Sequence, residues 1–310
     1  MTDYAEALRQ KDFGRQSTAD EVTAGIDLSG KNILITGCTS GIGLEAMKAL
    51  TARGGHVIGV GRTQEKAESA CRSIFEAGGK VTVMGCELES FTSVVELADK
   101  VRAMNTPIDV LICNAGIIGR PNLERVGEIE KQFAVNHLSH FILINRLLNR
   151  VKEAPQGRVV VVSSEAHRST PQGGIAFDNL TGENGYSALS FYGQSKLANL
   201  LMARELARRL EGTQSTANAL HPGVVATNIF HNLPAFLSAP LKVIGHVFMK
   251  SSAAGAATTC YLATNSALAK TSGLYFSDCN PAVPSVHGTD DSLAKKLWAV
   301  SESLTRDYLI

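Results

Sequence analysis

The chain has no excess of either charge: 30 Lys and Arg face 29 Asp and Glu, a formal charge of +1. Neither nucleic acid nor an anionic membrane is therefore indicated as its main partner. It has no long hydrophobic run either. Stretches such as Phe141-Ile142-Leu143-Ile144 fall far short of the roughly 20 apolar residues a membrane-spanning helix requires. Cysteines at metal-binding spacing are missing too. Cys38, Cys71, Cys86, Cys113, Cys260 and Cys279 are scattered, which points to no metal and suits buried free thiols in a reducing compartment. The first residues carry Asp3, Glu6, Arg9 and Lys11 without an apolar core, unlike a secretory signal, and a cytoplasmic protein is expected. There is no solenoid repeat, low-complexity tract or flexible linker, so a single domain is the simplest expectation.

What is present is alternation. Residues 1–28 are polar and weakly periodic, and read as an N-terminal arm laid on a domain spanning 29–310. From Asn32 onward, short β-branched runs at 32–36, 56–60, 81–84, 110–113, 158–162 and 216–220 alternate with amphipathic stretches at 44–53, 63–77, 90–104, 126–152 and 192–210. Continuous apolar runs suit strands covered on both faces, and βαβ repetition implies parallel pairing. The expected fold is α/β: a three-layer, doubly wound parallel sheet of the Rossmann kind. Two segments break the pattern, 165–190, rich in Gly, Asn, Ser and Thr, and an apolar stretch with Pro234 and Pro240 at about 228–250. Long excursions in a compact domain are usually functional loops or lids.

After the first strand and opening the first helix comes Thr36-Gly37-Cys38-Thr39-Ser40-Gly41-Ile42-Gly43, the context a dinucleotide fingerprint demands. Glycines permit the tight turn and close backbone approach, and the helix N-terminus offers amides and partial positive charge to phosphates. At the end of the second strand stands Gly61-Arg62-Thr63, where selection of the unphosphorylated cofactor would usually place an acid on the ribose. Arg62 suits a 2′-phosphate instead, favouring NADP(H) over NAD(H), the alternative being that it merely stacks on adenine or caps a surface. Asn114-Ala115-Gly116, closing the fourth strand, offers small residues where a nucleotide edge would pack, or an ordinary turn.

Tyr192 and Lys196 lie four apart on an expected helix, so both project from one face. Ser163-Ser164 closes the fifth strand at the carboxyl edge, which the phosphate turn shares. If the helix packs beside that strand, a hydroxyl, a phenol and an ammonium converge on one site. Hydride addition to a carbonyl builds charge on oxygen, and a phenol can supply the proton. The nearby ammonium is expected to shift the tyrosine pKa downward from about 10. Asn136, mid-helix, could anchor a water, although such residues more often point outward.

These motifs, with Val135-Asn136-His137 and His221-Pro222-Gly223-Val224, resemble the short-chain dehydrogenase/reductase family in order and spacing from about Lys31 to Phe276. The resemblance implies a catalytic tetrad of Asn136, Ser164, Tyr192 and Lys196, with Pro222, Gly223, Val225 and Thr227 on the nicotinamide side. Glu87-Leu88 stands where relatives carry Asp-Leu beside the adenine. Ser164 to Arg168, Ser195 to Asn199, Gly255 to Thr259 and Gly273 to Phe276 are similar to the retinol-dehydrogenase-like branch, which includes the dehydrogenase portion of WW-domain-containing oxidoreductases. That branch implies a lipophilic alcohol, aldehyde or ketone as substrate and a homo-oligomer, dimer or tetramer. Ile229, Phe230, Leu233, Phe236, Leu237, Val243, Ile244 and Phe248 would suit an apolar lid, a core cover or an oligomer contact. His167 and His221 read as structural. Reduction of a carbon–carbon double bond, or a catalytically silent dinucleotide-binding regulator, are the competing readings.

Overall fold

The structure is a computed structural model that describes residues 6, 8–118, 121–225 and 250–310. The β-branched runs form the strands of an eight-stranded sheet in the order β10-β9-β8-β7-β4-β1-β2-β3. These are β1 (Asn32–Thr36), β2 (His56–Gly61), β3 (Val81–Gly85), β4 (Val110–Cys113), β7 (Arg158–Val162), β8 (Thr216–His221), β9 (Tyr275–Ser277) and β10 (Asn280–Pro281). All neighbours pair in parallel except the closing β9 and β10. The fold is the expected doubly wound α/β architecture.

Side-chain alternation sorts the core into two layers. Ile33 and Ile35 face one side, against α1 (Ala19–Thr23), α2 (Gly41–Ala52), α3 (Gln64–Glu76) and α8 (Ser252–Thr264). Leu34 faces the other, with α4 (Phe91–Ala103), α6 (Ser139–Lys152), α7 (Ala188–Arg209) and Trp298 of α9 (Asp291–Leu304). Strand residues alternate between faces, so each face of β1 needs its own apolar cover, and the two helix layers provide it.

Three expected boundaries move. Before the long helix, a ribbon of β5 (Arg125–Val126) and β6 (Ile129–Glu130) intervenes, so the helix starts at α5 (Lys131–Phe133), where the Glu130 carboxylate accepts from the Phe133 amide at 2.9 Å. That helix is also interrupted. Between α5 and α6 lies a π turn over Ala134–Leu138, with the Ser139 amide donating to the Ala134 carbonyl five residues back. At the other end, α7 starts at Ala188, one turn before Tyr192.

The segment before β1 is fastened along the far edge. The Gln10 amide donates to Asn280 Oδ1 at 3.0 Å, Asn280 Nδ2 donates to the Phe13 carbonyl at 3.3 Å, and Phe13 meets Tyr261 edge-on at 6.0 Å. A capping box of Thr18 and Glu21 starts α1, whose Ala19 and Val22 are buried.

Candidate functional site

A cleft of about 880 Å³ runs along the carboxyl edge of the sheet. It is lined by Gly37, Thr39 to Gly43, Arg62, Glu87, Leu88, Asn114 to Gly116, Ser164, Tyr192, Lys196, Pro222, Gly223 and Val225. One opening therefore gathers every site residue expected from sequence except two. Asn136 is fully buried behind the wall. Thr227, like the expected lid up to residue 249, lies outside the described residues.

The turn after β1 is built to let backbone through. Gly37 sits at φ +75° and Gly41 at φ +56°, the left-handed region that only glycine enters at no cost. A Cβ on Gly43 would lie 2.1 Å from the Gly37 carbonyl oxygen and 2.7 Å from Asn114 Nδ2, so α2 comes off the strand with no room for a methyl group. Gly43→Ala is therefore expected to cost about 1–3 kcal/mol of unfolding free energy, the usual range for overpacking. Urea unfolding measures this, and equal stability of variant and parent would refute the close packing.

Opposite the turn, Asn114 and Ala115 hang from Thr36. Both amides donate to Thr36 Oγ1 at 3.0 Å, and Asn114 Nδ2 donates to the Thr36 carbonyl at 2.8 Å. At the outer end of the cleft, Arg62 Nε lies 3.3 Å from Glu87 Oε2. Both side chains are well exposed, so the pair is worth at most about 1 kcal/mol and leaves the guanidinium free to take another anion.

At the inner end, α7 is stapled to the end of β7. Ser163 Oγ donates to the Lys196 carbonyl at 2.7 Å, and Asn199 Nδ2 donates to the Val162 carbonyl at 3.1 Å. The same Val162 carbonyl accepts from Lys196 Nζ at 3.2 Å. Gly193 makes this closeness feasible, since a Cβ there would meet the Ser169 carbonyl at 2.1 Å. The result places Lys196 Nζ 5.8 Å from the centre of the Tyr192 ring, and both line the cleft together with Ser164.

Burial, rather than the neighbouring charge, sets the protonation of this pair. It pushes the Tyr192 phenol up to about 12 against the opposing Ser164 hydrogen bond. Burial also pulls Lys196 down to about 8. The downward tyrosine shift expected from the ammonium does not occur in the protein alone, because losing water costs each charged form more than their separation returns. The phenol keeps its proton throughout the neutral range.

Asn136 does not face outward. The π turn rotates it so that Oδ1 accepts from the Ile117 amide at 2.8 Å, while Nδ2 donates to the Ile117 carbonyl and to Ser195 Oγ, both at 2.9 Å. Its side chain holds the loop after β4. Ile117, Ser195 and Gly193 were not singled out from sequence, because their contacts join segments 19 to 59 residues apart. His167 is locked as expected, with Nδ1 on the Ser164 carbonyl at 2.7 Å and Nε2 accepting from the Ser285 amide at 2.9 Å.

Comparison with known proteins agrees with this geometry. The short chain dehydrogenase family matches residues 31–237, and the chain belongs to that family. It is an oxidoreductase acting on CH–OH/C=O groups, of the retinol-dehydrogenase-like branch. It is 40% identical over 301 residues to the short-chain dehydrogenase TIC 32 A, chloroplastic, of Brassica napus, covering 94% of each chain. It is 38% identical to retinol dehydrogenase 14 of Homo sapiens (89% of this chain, 86% of the relative) and 38% identical to the WW domain-containing oxidoreductase of Gallus gallus (97% and 74%). Among solved structures, an uncharacterised protein from Mycobacterium paratuberculosis superposes with a TM-score of 0.74 at 33% identity, covering 94% of this chain and 98% of that one. The Pseudomonas aeruginosa RhlG/NADP complex superposes with a TM-score of 0.64 at 26% identity (86% and 98%). Among the described residues no helix is long and apolar enough to cross a membrane, and no His, Cys, Asp and Glu group could hold a metal.

Proposed function

We propose that the protein is an NADP(H)-dependent oxidoreductase interconverting a lipophilic ketone or aldehyde and its alcohol, with Tyr192 as general acid and base. The observation that carries this reading is that buried Tyr192 and Lys196, the ammonium 5.8 Å from the ring centre, line one cleft with Ser164 and the glycine turn. The cofactor fits the residues present: the cleft is long, and Gly37, Gly43 and Gly116 each stand where a Cβ would crowd a neighbour. When bound, the nicotinamide supplies or accepts the hydride. Ser164 holds the substrate oxygen, Tyr192 gives that oxygen its proton, and Lys196 holds the ribose and carries positive charge beside the phenol. Asn136 keeps the loop of Asn114 to Ile117 in place behind them. Val225 lines the same end through its bridge to Lys250.

A lipophilic substrate is supported by the cleft mouth. Leu189 is 63% exposed and Val224 52% exposed while both line the opening, so apolar surface faces the approach. The six buried free thiols suit a cytoplasmic protein, and homo-oligomerisation follows the family resemblance. Oxidation of NADPH on supplying a panel of lipophilic carbonyls tests the reading; no turnover with any of them would leave a silent dinucleotide binder.

The cofactor preference rests on Arg62, at the end of β2 with no acid beside it on that strand. Arg62→Ala is expected to weaken NADPH binding about 10- to 100-fold, the loss of a charge-assisted contact, and to leave NADH unchanged. Fluorescence titration of both cofactors reads this. Tighter NADH binding in the parent, untouched by the substitution, would reverse the preference.

A further inference from the structure

His140 lies on α6, one turn past Asn136, and is fully buried on the far side of the cleft wall. Its two ring nitrogens join two different parts of the site. Nε2 is 2.9 Å from Thr36 Oγ1, and Nδ1 is 3.0 Å from the Asn136 carbonyl oxygen. The direction of each bond is fixed by counting. Thr36 Oγ1 already accepts from the Asn114 and Ala115 amides, which uses both lone pairs of a hydroxyl, so its single proton goes to Nε2. Nε2 is then an acceptor, and the ring proton sits on Nδ1, where the Asn136 carbonyl can only accept.

These bonds close a ring. Thr36 holds the loop after β4 at Asn114 and Ala115, the Asn136 side chain holds the same loop at Ile117, and His140 ties the two anchors together. The loop so clamped presents Gly116 to the lysine, where a Cβ would come within 3.2 Å of Lys196 Nζ.

We propose that His140 is a positioning residue that locks the π turn carrying Asn136 to the strand end carrying the phosphate turn, so that both anchors of the Asn114–Ile117 loop move as one. A purely local role would be to fill space and satisfy the Asn136 carbonyl, with no effect beyond the helix. That the clamped loop borders a cofactor rests on the function proposed above; the mechanical link does not.

Hydrogen exchange of the full-length protein, without cofactor or substrate, tests the link. His140→Leu removes both bonds, and amide protection is expected to fall at least about tenfold at residues 114–118 and at 134–139 together. His140→Asn places an amide N–H where Nδ1 stood, so the Asn136 carbonyl keeps its donor while the bond to Thr36 is lost, and it is expected to loosen 114–118 and 134–139 together. Thr36→Val, which cuts the ring from the other side, is expected to loosen 134–139 as well as 114–118. Loosening confined in each variant to the segment it touches would overturn the proposal. Should His140→Leu fail to fold, Thr36→Val and His140→Asn decide alone by the same pattern. Because no turnover is measured, a wrong substrate or cofactor assignment leaves the result readable.

Discussion

Replacing Tyr192 with Phe lowers turnover about 10²- to 10⁴-fold, the range by which a positioned proton donor accelerates such a step, and leaves the protein folded. The ring stays as it was: Tyr192 is 9% exposed within α7, and Phe keeps its volume. Only the Oη leaves, and Ser164 Oγ retains its bond from the Ala166 amide at 3.2 Å. NADPH affinity is expected to stay within a few-fold, because the glycine turn and Arg62 are untouched. Parallel measurement of kcat and of the NADPH dissociation constant separates the two effects, and full activity in the variant ends the assignment of Tyr192. The same assay read against pH carries a sign. Carbonyl reduction uses the phenol with its proton and the ammonium with its charge. Burial leaves the phenol protonated up to about 12 and holds Lys196 near 8, so reduction should be level through neutrality and decline as pH rises past about 8.

The second large effect is acid instability that starts well above the carboxylate range. Burial pulls His137 down to about 3 and His140 and His221 down to about 4. Each is neutral in the folded chain and ordinary, near 6.5, once unfolded. Between those values the unfolded state binds more protons, so stability is fully present above about pH 6.5 and is lost as pH falls toward 4, at up to about 1.4 kcal/mol per pH unit for each histidine. Three such groups can remove several kcal/mol by pH 5, a large share of the roughly 5–15 kcal/mol that holds a protein folded. Glu130 works the other way, since burial raises it and its protonation in acid favours the folded form, but it is one group against three. Urea midpoints at pH 7, 6 and 5 give the slope; identical midpoints at pH 7 and 5 would contradict it.

Six of the seven parallel strands and the glycine turn were legible in sequence because both follow from strictly local demands. Arg158–Val162 is buried at every position, and a strand covered on both faces must read as an unbroken apolar run. The closing strands were not legible: β9 has three residues and β10 two, with Ser277, Asn280 and Pro281 among them, too short for any period to register. α8 escaped for the opposite reason. From Ala254 to Ala263 it is buried all round, so its Ala, Gly and Thr carry no polar stripe to mark a helical face. The π turn was not legible because it is a single five-residue turn inside a longer helix, too short for its own period to register. Tyr192 and Lys196 could be paired by their four-residue spacing, whereas Ser195 and His140 acquire meaning only from partners that tertiary packing brings to them.

The bond from Gln10 to Asn280 spans 270 positions of sequence. The sheet's outer border is therefore sealed by an early and a late segment meeting, which a ribosome delivers about 55 s apart in slow synthesis and about 14 s apart in fast. Until the late segment emerges, β8 has neither neighbour nor cover on that flank, and the nascent protein must carry an open strand edge of the kind that invites pairing with other chains.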